Sequence, residues 1–249
     1  MDAAAPEPLY HRVLLKLSGE ALQGRQSFGL CPQTLARLAG EIAAVRALGI
    51  SVAIVVGGGN FFRGAKASGL HIHRAHADAM GMLATVLNGI ALRDALEAEG
   101  LSCRLVSALS MEQVAETFVR HRVLRHLDSG HVVLLTAGTG NPFFTTDTAA
   151  ALRAVEIGAE VFLKATMVDG LYSADPKVHP DAVFYRRVSY RQVIMEDLRV
   201  MDHTAIVLCQ ENRMPIKIFN LTRPGHLLKA VTDPELGTLI CPQDTDHRC

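Results

Sequence analysis

His131-Val132-Val133-Leu134-Leu135-Thr136-Ala137-Gly138-Thr139-Gly140-Asn141-Pro142-Phe143-Phe144-Thr145-Thr146-Asp147 runs straight into a helical pattern from Thr148 to Ile157. The first five residues form an apolar run of strand length, and the residues beyond Thr139 are turn formers: glycine, asparagine, proline and hydroxyl side chains. Such a loop, set between a buried strand and a helix N-terminus, can also hold an anion. Glycine lets the anion approach the backbone, the first helical N–H groups and the positive end of the macrodipole face it, and threonine hydroxyls can donate to it. An ordinary turn with Asp147 as helix cap explains the stretch equally well on its own. Its neighbours in the chain decide between the two.

Outward from this unit, strand-length apolar runs alternate with helical patterns: Val13 to Leu17 then a helix near Pro32 to Leu48, Ser51 to Val56 then a helix near His76 to Glu99, Arg104 to Ser107 then another helix. This is the βαβ rhythm of a parallel sheet covered by helices. In the first helix Pro32 suits the opening turn, Leu35, Leu38, Ile42 and Val45 fall on one stripe, and Gly49 suits the stop. Further strands are expected at Glu160 to Lys164, Pro215 to Phe219 and Thr238 to Cys241. Helices are expected near Tyr190 to Arg199, where Ser189 and Gln192 offer a capping box, and near Thr204 to Arg213. Residues 11–241 read as a single domain. Residues 1–10 and 242–249 read as disordered ends, and Ala165 to Asp181 as a lobe boundary or a site loop.

With 249 residues, half of them hydrophobic, the chain can bury a large core. Its 25 basic and 25 acidic residues cancel, so no general field attracts nucleic acid or an anionic membrane, and any anionic ligand must be held locally. Met1 to Pro8 carries two acids and two prolines where a secretory signal would be basic and apolar, and no apolar run approaches transmembrane length. Five scattered cysteines without a CxxC pair point to a reducing, cytoplasmic setting.

Four of the expected strands run into glycine-rich or lysine-bearing loops: Lys16-Leu17-Ser18-Gly19-Glu20, Gly57-Gly58-Gly59-Asn60-Phe61-Phe62-Arg63-Gly64, the Ala137 to Asp147 loop, and Lys164-Ala165-Thr166-Met167-Val168-Asp169-Gly170. In an open parallel sheet, ligands bind outside the carboxyl ends of the strands, so these loops face one cleft. Together, with a lysine and an arginine among the glycines, they read as a polyphosphate site. Neither GxxxxGK[ST] nor a helix-opening GxGxxG is present, which argues against a P-loop enzyme and a dinucleotide-binding Rossmann domain.

These motifs, with Ala21-Leu22 after the first and Asp78-Ala79-Met80-Gly81-Met82 between the second and third, resemble the amino acid kinase family from about His11 to Ile240, and within it the members whose acceptor is UMP. The resemblance implies a three-layer αβα sandwich with a mostly parallel sheet, its acceptor half about 11–158 and its ATP half about 159–241. It implies transfer of the ATP γ-phosphoryl group to UMP for pyrimidine nucleotide synthesis, Mg²⁺ bound with ATP, a homohexamer, UTP as an inhibitor and GTP as an effector. By position, Lys16, Leu17, Ser18 and Gly19 would touch ATP phosphates. Gly58 would touch UMP, with Gly59 and Arg63 on the ATP side or between the phosphates. Asp78 would hold the UMP ribose, and Thr139 to Thr146 the uracil and UMP phosphate. Thr166, Tyr172 and Asp175 would surround adenosine. No protein metal ligand is implied.

The acceptor is itself a phosphate monoester, mostly dianionic at pH 7, so no general base is needed. The demand is to neutralise charge, which singles out Lys16 as the main stabiliser, with Arg63 and Lys164 as further cations. Asp147 either orients Lys16 or caps the following helix. Arg93 and Arg104 lie where the family binds GTP, but Met111 to Gly130 departs from the family pattern and His131 stands where a basic residue is expected. The run His71-Ile72-His73-Arg74-Ala75-His76 leaves open a transition-metal site. The rival readings are another kinase of this fold, and a non-catalytic nucleotide-binding or metal-storage protein.

Overall fold

The computed structural model describes residues 6–62, 71–176, 178–198 and 200–242. In chain order the elements are β1 (Arg12–Leu17), α1 (Glu20–Gln23), α2 (Pro32–Ala47), β2 (Ser51–Val56), α3 (Arg74–Ala98), β3 (Cys103–Ser107), β4 (Glu116–Thr117), α4 (Arg120–Asp128), β5 (Val132–Thr136) and α5 (Thr146–Glu156). They continue with β6 (Val161–Thr166), β7 (Leu171–Tyr172), β8 (Phe184–Tyr185), β9 (Arg187–Ser189), α6 (Tyr190–Met195), α7 (His203–Glu211), β10 (Ile216–Asn220), α8 (His226–Thr232) and β11 (Thr238–Cys241).

The main sheet has the order β4-β3-β5-β2-β1-β6-β10-β11-β9, and β7 with β8 forms a separate antiparallel hairpin. Every pair in the main sheet is parallel except β10 with β11. Because the strands are buried on both faces they read as continuous apolar runs, not as alternating ones. One face packs Leu38, Ile42 and Val45 of α2, Leu92 and Leu96 of α3, and Leu227 and Val231 of α8. The other packs Val123 of α4, Ala150, Ala151 and Ala154 of α5, and Ala205, Ile206 and Cys209 of α7. This is the expected αβα sandwich. Each fully buried leucine or isoleucine contributes about 1.5–3 kcal/mol relative to an exposed one, so the α2 stripe is enough to seat that helix.

At 25 residues α3 is long and apolar enough, by length and composition, to cross a bilayer. Here it is a wall of the domain, packed on α2, β3 and β5, with Thr85 and Asn88 buried. Chain order reverses at β1, which has β2 on one side and β6 on the other, and ligands bind at such a reversal point. The sequence reading makes α6 too long. The helix stops at Met195 because Asp197 takes the left-handed conformation (φ 47°) and the Leu198 N–H closes back on the Val193 carbonyl at 3.0 Å. Of the expected capping box, the Ser189 hydroxyl does accept from the Gln192 N–H, while the Gln192 amide turns to Glu196.

Candidate active site

Strand parity decides what faces what. On β1, Val13, Leu15 and Leu17 enter the α2 side of the core and Leu14 the α5 side, so Lys16 faces α5. The same count on β6 puts Lys164 on that side, and the two lysines are register partners across the β1–β6 pair. Asp147, in the first turn of α5, reaches both. Its Oδ1 lies 2.9 Å from the Lys16 Nζ and its Oδ2 accepts from the Lys164 Nζ at 2.5 Å. Both lysine residues are only 8% exposed. Burial alone would push the Asp147 carboxyl up, but the two ammonium groups together outweigh it and hold the group below its ordinary range. Burial pulls the Lys164 ammonium down, opposed by Asp147. Two lysines and one carboxylate thus share one buried cluster at the carboxyl edge of the central strands.

Asp147 is not the helix cap. That role belongs to Thr145, whose Oγ1 accepts from the N–H groups of Asp147 (3.0 Å) and Thr148 (3.2 Å). The helix end thus offers fewer open N–H groups than the sequence reading expects. The Thr145 hydroxyl donates to Asp202 Oδ2 at 2.5 Å and Thr148 donates to Oδ1 at 2.8 Å, while the same carboxylate caps α7 through the Ala205 N–H. Asp202, absent from the residues singled out in the sequence, ties the loop before α5 to the second half of the chain. Its only signal was its place just before a helical pattern, a position any capping aspartate shares.

Beyond the carboxyl ends of β2 and β5 lies a cavity of about 130 Å³ lined by Gly58, Gly59, Phe62, Ala77, Asp78, Gly81, Met82, Thr85, Gly138, Thr139, Asn141, Phe144, Thr145 and Thr146. It gathers most of the residues expected around UMP. Gly140, Pro142 and Phe143 are outside its lining, and Gly59 belongs to it together with Gly58. Gly58 has to be glycine, because a Cβ there would sit 2.7 Å from the Gly81 carbonyl oxygen of α3. Asp78 is already engaged: it pairs with the Arg74 Nε at 2.9 Å and accepts from the Phe143 N–H at 2.8 Å, holding the loop crest where Phe143 has φ 72°. The glycine triple is fixed by a buried amide pair. Asn60 and Asn88 donate to each other at 2.8 and 2.7 Å, Asn88 also donates to the Gly57 carbonyl, and Asn60 to the Gly29 carbonyl. This pair also escaped the sequence reading, since asparagines so far apart show no mutual pattern.

On the opposite side of β1, beyond β6 and β10, a larger cavity of about 570 Å³ is lined by Thr166, Val168, Gly170, Leu171, Tyr172, Ser173, Ala174, Asp175, Pro176, Asp197, Leu198, Val200 and Ile218. Thr166, Tyr172 and Asp175, which the resemblance assigns to adenosine, all line this one cavity. The hairpin face is apolar, with Tyr172 edge-on to Phe184 at 5.1 Å between centroids. Leu17 is fully buried on the α2 side, and its carbonyl is taken by the Gly57 N–H at 2.8 Å. Ser18 and Gly19 lie in the turn beyond it. Arg63 lies outside the described residues. His73 accepts from the Ala75 N–H as the cap of α3, and among the described residues no three His, Cys, Asp or Glu side chains gather as a metal site.

The amino acid kinase family model matches residues 11–220. The chain is 52% identical over 236 residues to the uridylate kinase of Paramagnetospirillum magneticum (strain ATCC 700264 / AMB-1), covering 95% of this chain and 98% of that one. Among solved structures it is similar to the UMP kinase of Bacillus anthracis (TM-score 0.92, 37% identity, 94% of this chain and 97% of that one). It is also similar to that of Ureaplasma parvum (TM-score 0.87, 33% identity, 93% and 99%). The uridylate kinase of Archaeoglobus fulgidus is more distant in shape (TM-score 0.71, 30% identity, 92% and 99%).

Proposed function

The chain belongs to the amino acid kinase family, and from that membership we propose that its cleft moves the γ-phosphoryl group of ATP to UMP, releasing ADP and UDP. The observation that carries this is the Lys16–Asp147–Lys164 cluster, seated on β1 and β6 with one cavity on each side. UMP takes the Gly58 and Asp78 cavity and ATP the Tyr172 and Asp175 cavity. A UMP phosphate oxygen attacks the γ-phosphorus as the bond to the β,γ-bridging oxygen breaks, and ADP leaves with that oxygen. No proton has to be removed from the acceptor. Lys16 and Lys164 offset the negative charge of the meeting phosphates, and Asp147 holds the two ammonium groups in place. Arg63 belongs to the same proposal as a further cation.

A divalent metal accompanies kinase chemistry with ATP, and Mg²⁺ is the ion proposed. With no carboxylate cage among the described residues and Asp147 committed to two lysines, the site suits an ion held mainly by the nucleotide phosphates and water. When bound it would offset part of the negative charge on the nucleotide phosphates, beside Lys16 and Lys164.

The proposal extends to a homohexamer, UTP competing in the UMP cavity, GTP as an effector, and a cytoplasmic setting. Met80, Leu83 and Leu87, exposed along one stripe of α3, support an assembly contact, and Cys31, Cys103 and Cys209 are free thiols. The domain reading, a single unit over 11–241 with the two halves meeting at the cluster, is part of the same proposal. Opposite effects of two variants test the cavity assignment. Asp78→Asn should raise KM for UMP by about 10- to 100-fold with little change for ATP, and Tyr172→Ala should do the reverse. Equal loss for both nucleotides in both variants would overturn it.

A further inference from the structure

We propose that Thr238 is a positioning residue for ATP: its hydroxyl fixes the hairpin that walls the larger cavity, and the inference rests on reading that cavity as the ATP site. Thr238 opens β11 and is completely buried. Its Oγ1 accepts from the Leu171 N–H at 2.8 Å and donates to the Tyr185 carbonyl. Leu171 and Tyr185 face each other in the β7–β8 register, so one hydroxyl holds both strands of the hairpin at once. The next pair along the hairpin is Tyr172 with Phe184, and Tyr172 lines the cavity.

The hydroxyl can come this close because residue 170 is glycine, where a Cβ would lie 2.4 Å from the Thr238 Oγ1. Thr238 itself is paired to Ile218, a cavity residue on β10. The hairpin has only two residues per strand and is not part of the nine-stranded sheet. A hairpin that short is not self-supporting. The Leu239 N–H bonds to the Arg186 carbonyl at 2.9 Å and ties the chain just after β8 to the sheet; the Thr238 hydroxyl adds the tie that reaches β7 as well as β8.

The test compares wild type with Thr238→Val, Thr238→Ser and Tyr172→Ala by steady-state kinetics in both nucleotides. Valine keeps the volume and removes both hydrogen bonds. We expect KM for ATP to rise about tenfold in Thr238→Val, KM for UMP to change less than about twofold, and serine to recover most of the ATP KM. If Tyr172→Ala raises KM for ATP and Thr238→Val does not, Thr238 has no positioning role and the cavity assignment stands. If neither variant affects ATP, the cavity assignment falls and this inference with it. If Thr238→Val worsens both nucleotides alike, or serine behaves as valine does, the role is general packing and the proposal is overturned. Hydrogen exchange on the unmodified protein gives a check that needs no variant. The Leu171 amide should be protected as the amides of β10 are, and free exchange there would contradict the anchor.

Discussion

Lys16 and Lys164 meet because two parallel strands place them in register, and Asp147 because a helix starts directly above them. Each of the three was legible in the sequence as a charged residue at a strand or helix end. A contact between Asp147 and Lys16 was one of two readings open to the sequence, but that Lys164 shares the same carboxylate was not legible, since register is fixed by packing between segments distant in the chain. The same limit left Asp147 undecided between capping and orienting, because threonine and aspartate are comparable caps and only the folded loop shows which one reaches the N–H groups. Removing the Lys16 charge should matter most where phosphate charge is greatest. Lys16→Ala is expected to lower kcat by roughly 10²–10³ while KM for UMP changes little, and a change confined to KM would deny its role. Asp147→Asn should lower kcat as well, since it leaves two buried ammonium groups side by side without their shared anion.

At the scale of elements, the long strands and helices were legible because their apolar periodicity extends over several turns or residues. β4, β7, β8 and β9 were not, being two or three residues long and set by neighbours and not by their own pattern. The residues Tyr172 and Asp175 were singled out in the sequence, but that gap hid the hairpin that carries Tyr172 and the role of Thr238 in holding it. The start of α5 shows how an element and a site share one residue. Thr145 caps the helix, lines the Gly58 and Asp78 cavity and binds Asp202. Thr145→Ala should lower the free energy of unfolding by about 1–2 kcal/mol in urea titration, and Thr145→Ser should recover most of it. An unchanged midpoint would mean that the cap contributes nothing.

For the whole molecule, the parallel α/β class was legible from the alternation of runs, and the order of strands was not, since no residue pattern announces that β1 lies between β2 and β6. Nor did the sequence mark Lys217 as a core residue. It is 1% exposed, and its Nζ donates to the Asp233 carbonyl just past α8 at 2.5 Å. Burial brings its ammonium from the ordinary 10.5 down to about 8, against the pull of Asp233 and Glu235. Between those values the unfolded chain keeps a proton that the folded chain releases, so stability from this group rises with pH across that window, by on the order of 3 kcal/mol. Lys217→Met should remove that rise when unfolding is followed at pH 8 and pH 10, and an identical slope in both proteins would contradict it. The central claim concerns the acceptor, and ADP release coupled to a chromogenic readout tests it most directly with UMP, acetylglutamate, glutamate, aspartate and carbamate offered in turn. A cleft built for two nucleotides predicts ATP-dependent ADP formation with UMP and only background with the others; turnover on an amino acid or carbamate, with none on UMP, would contradict it.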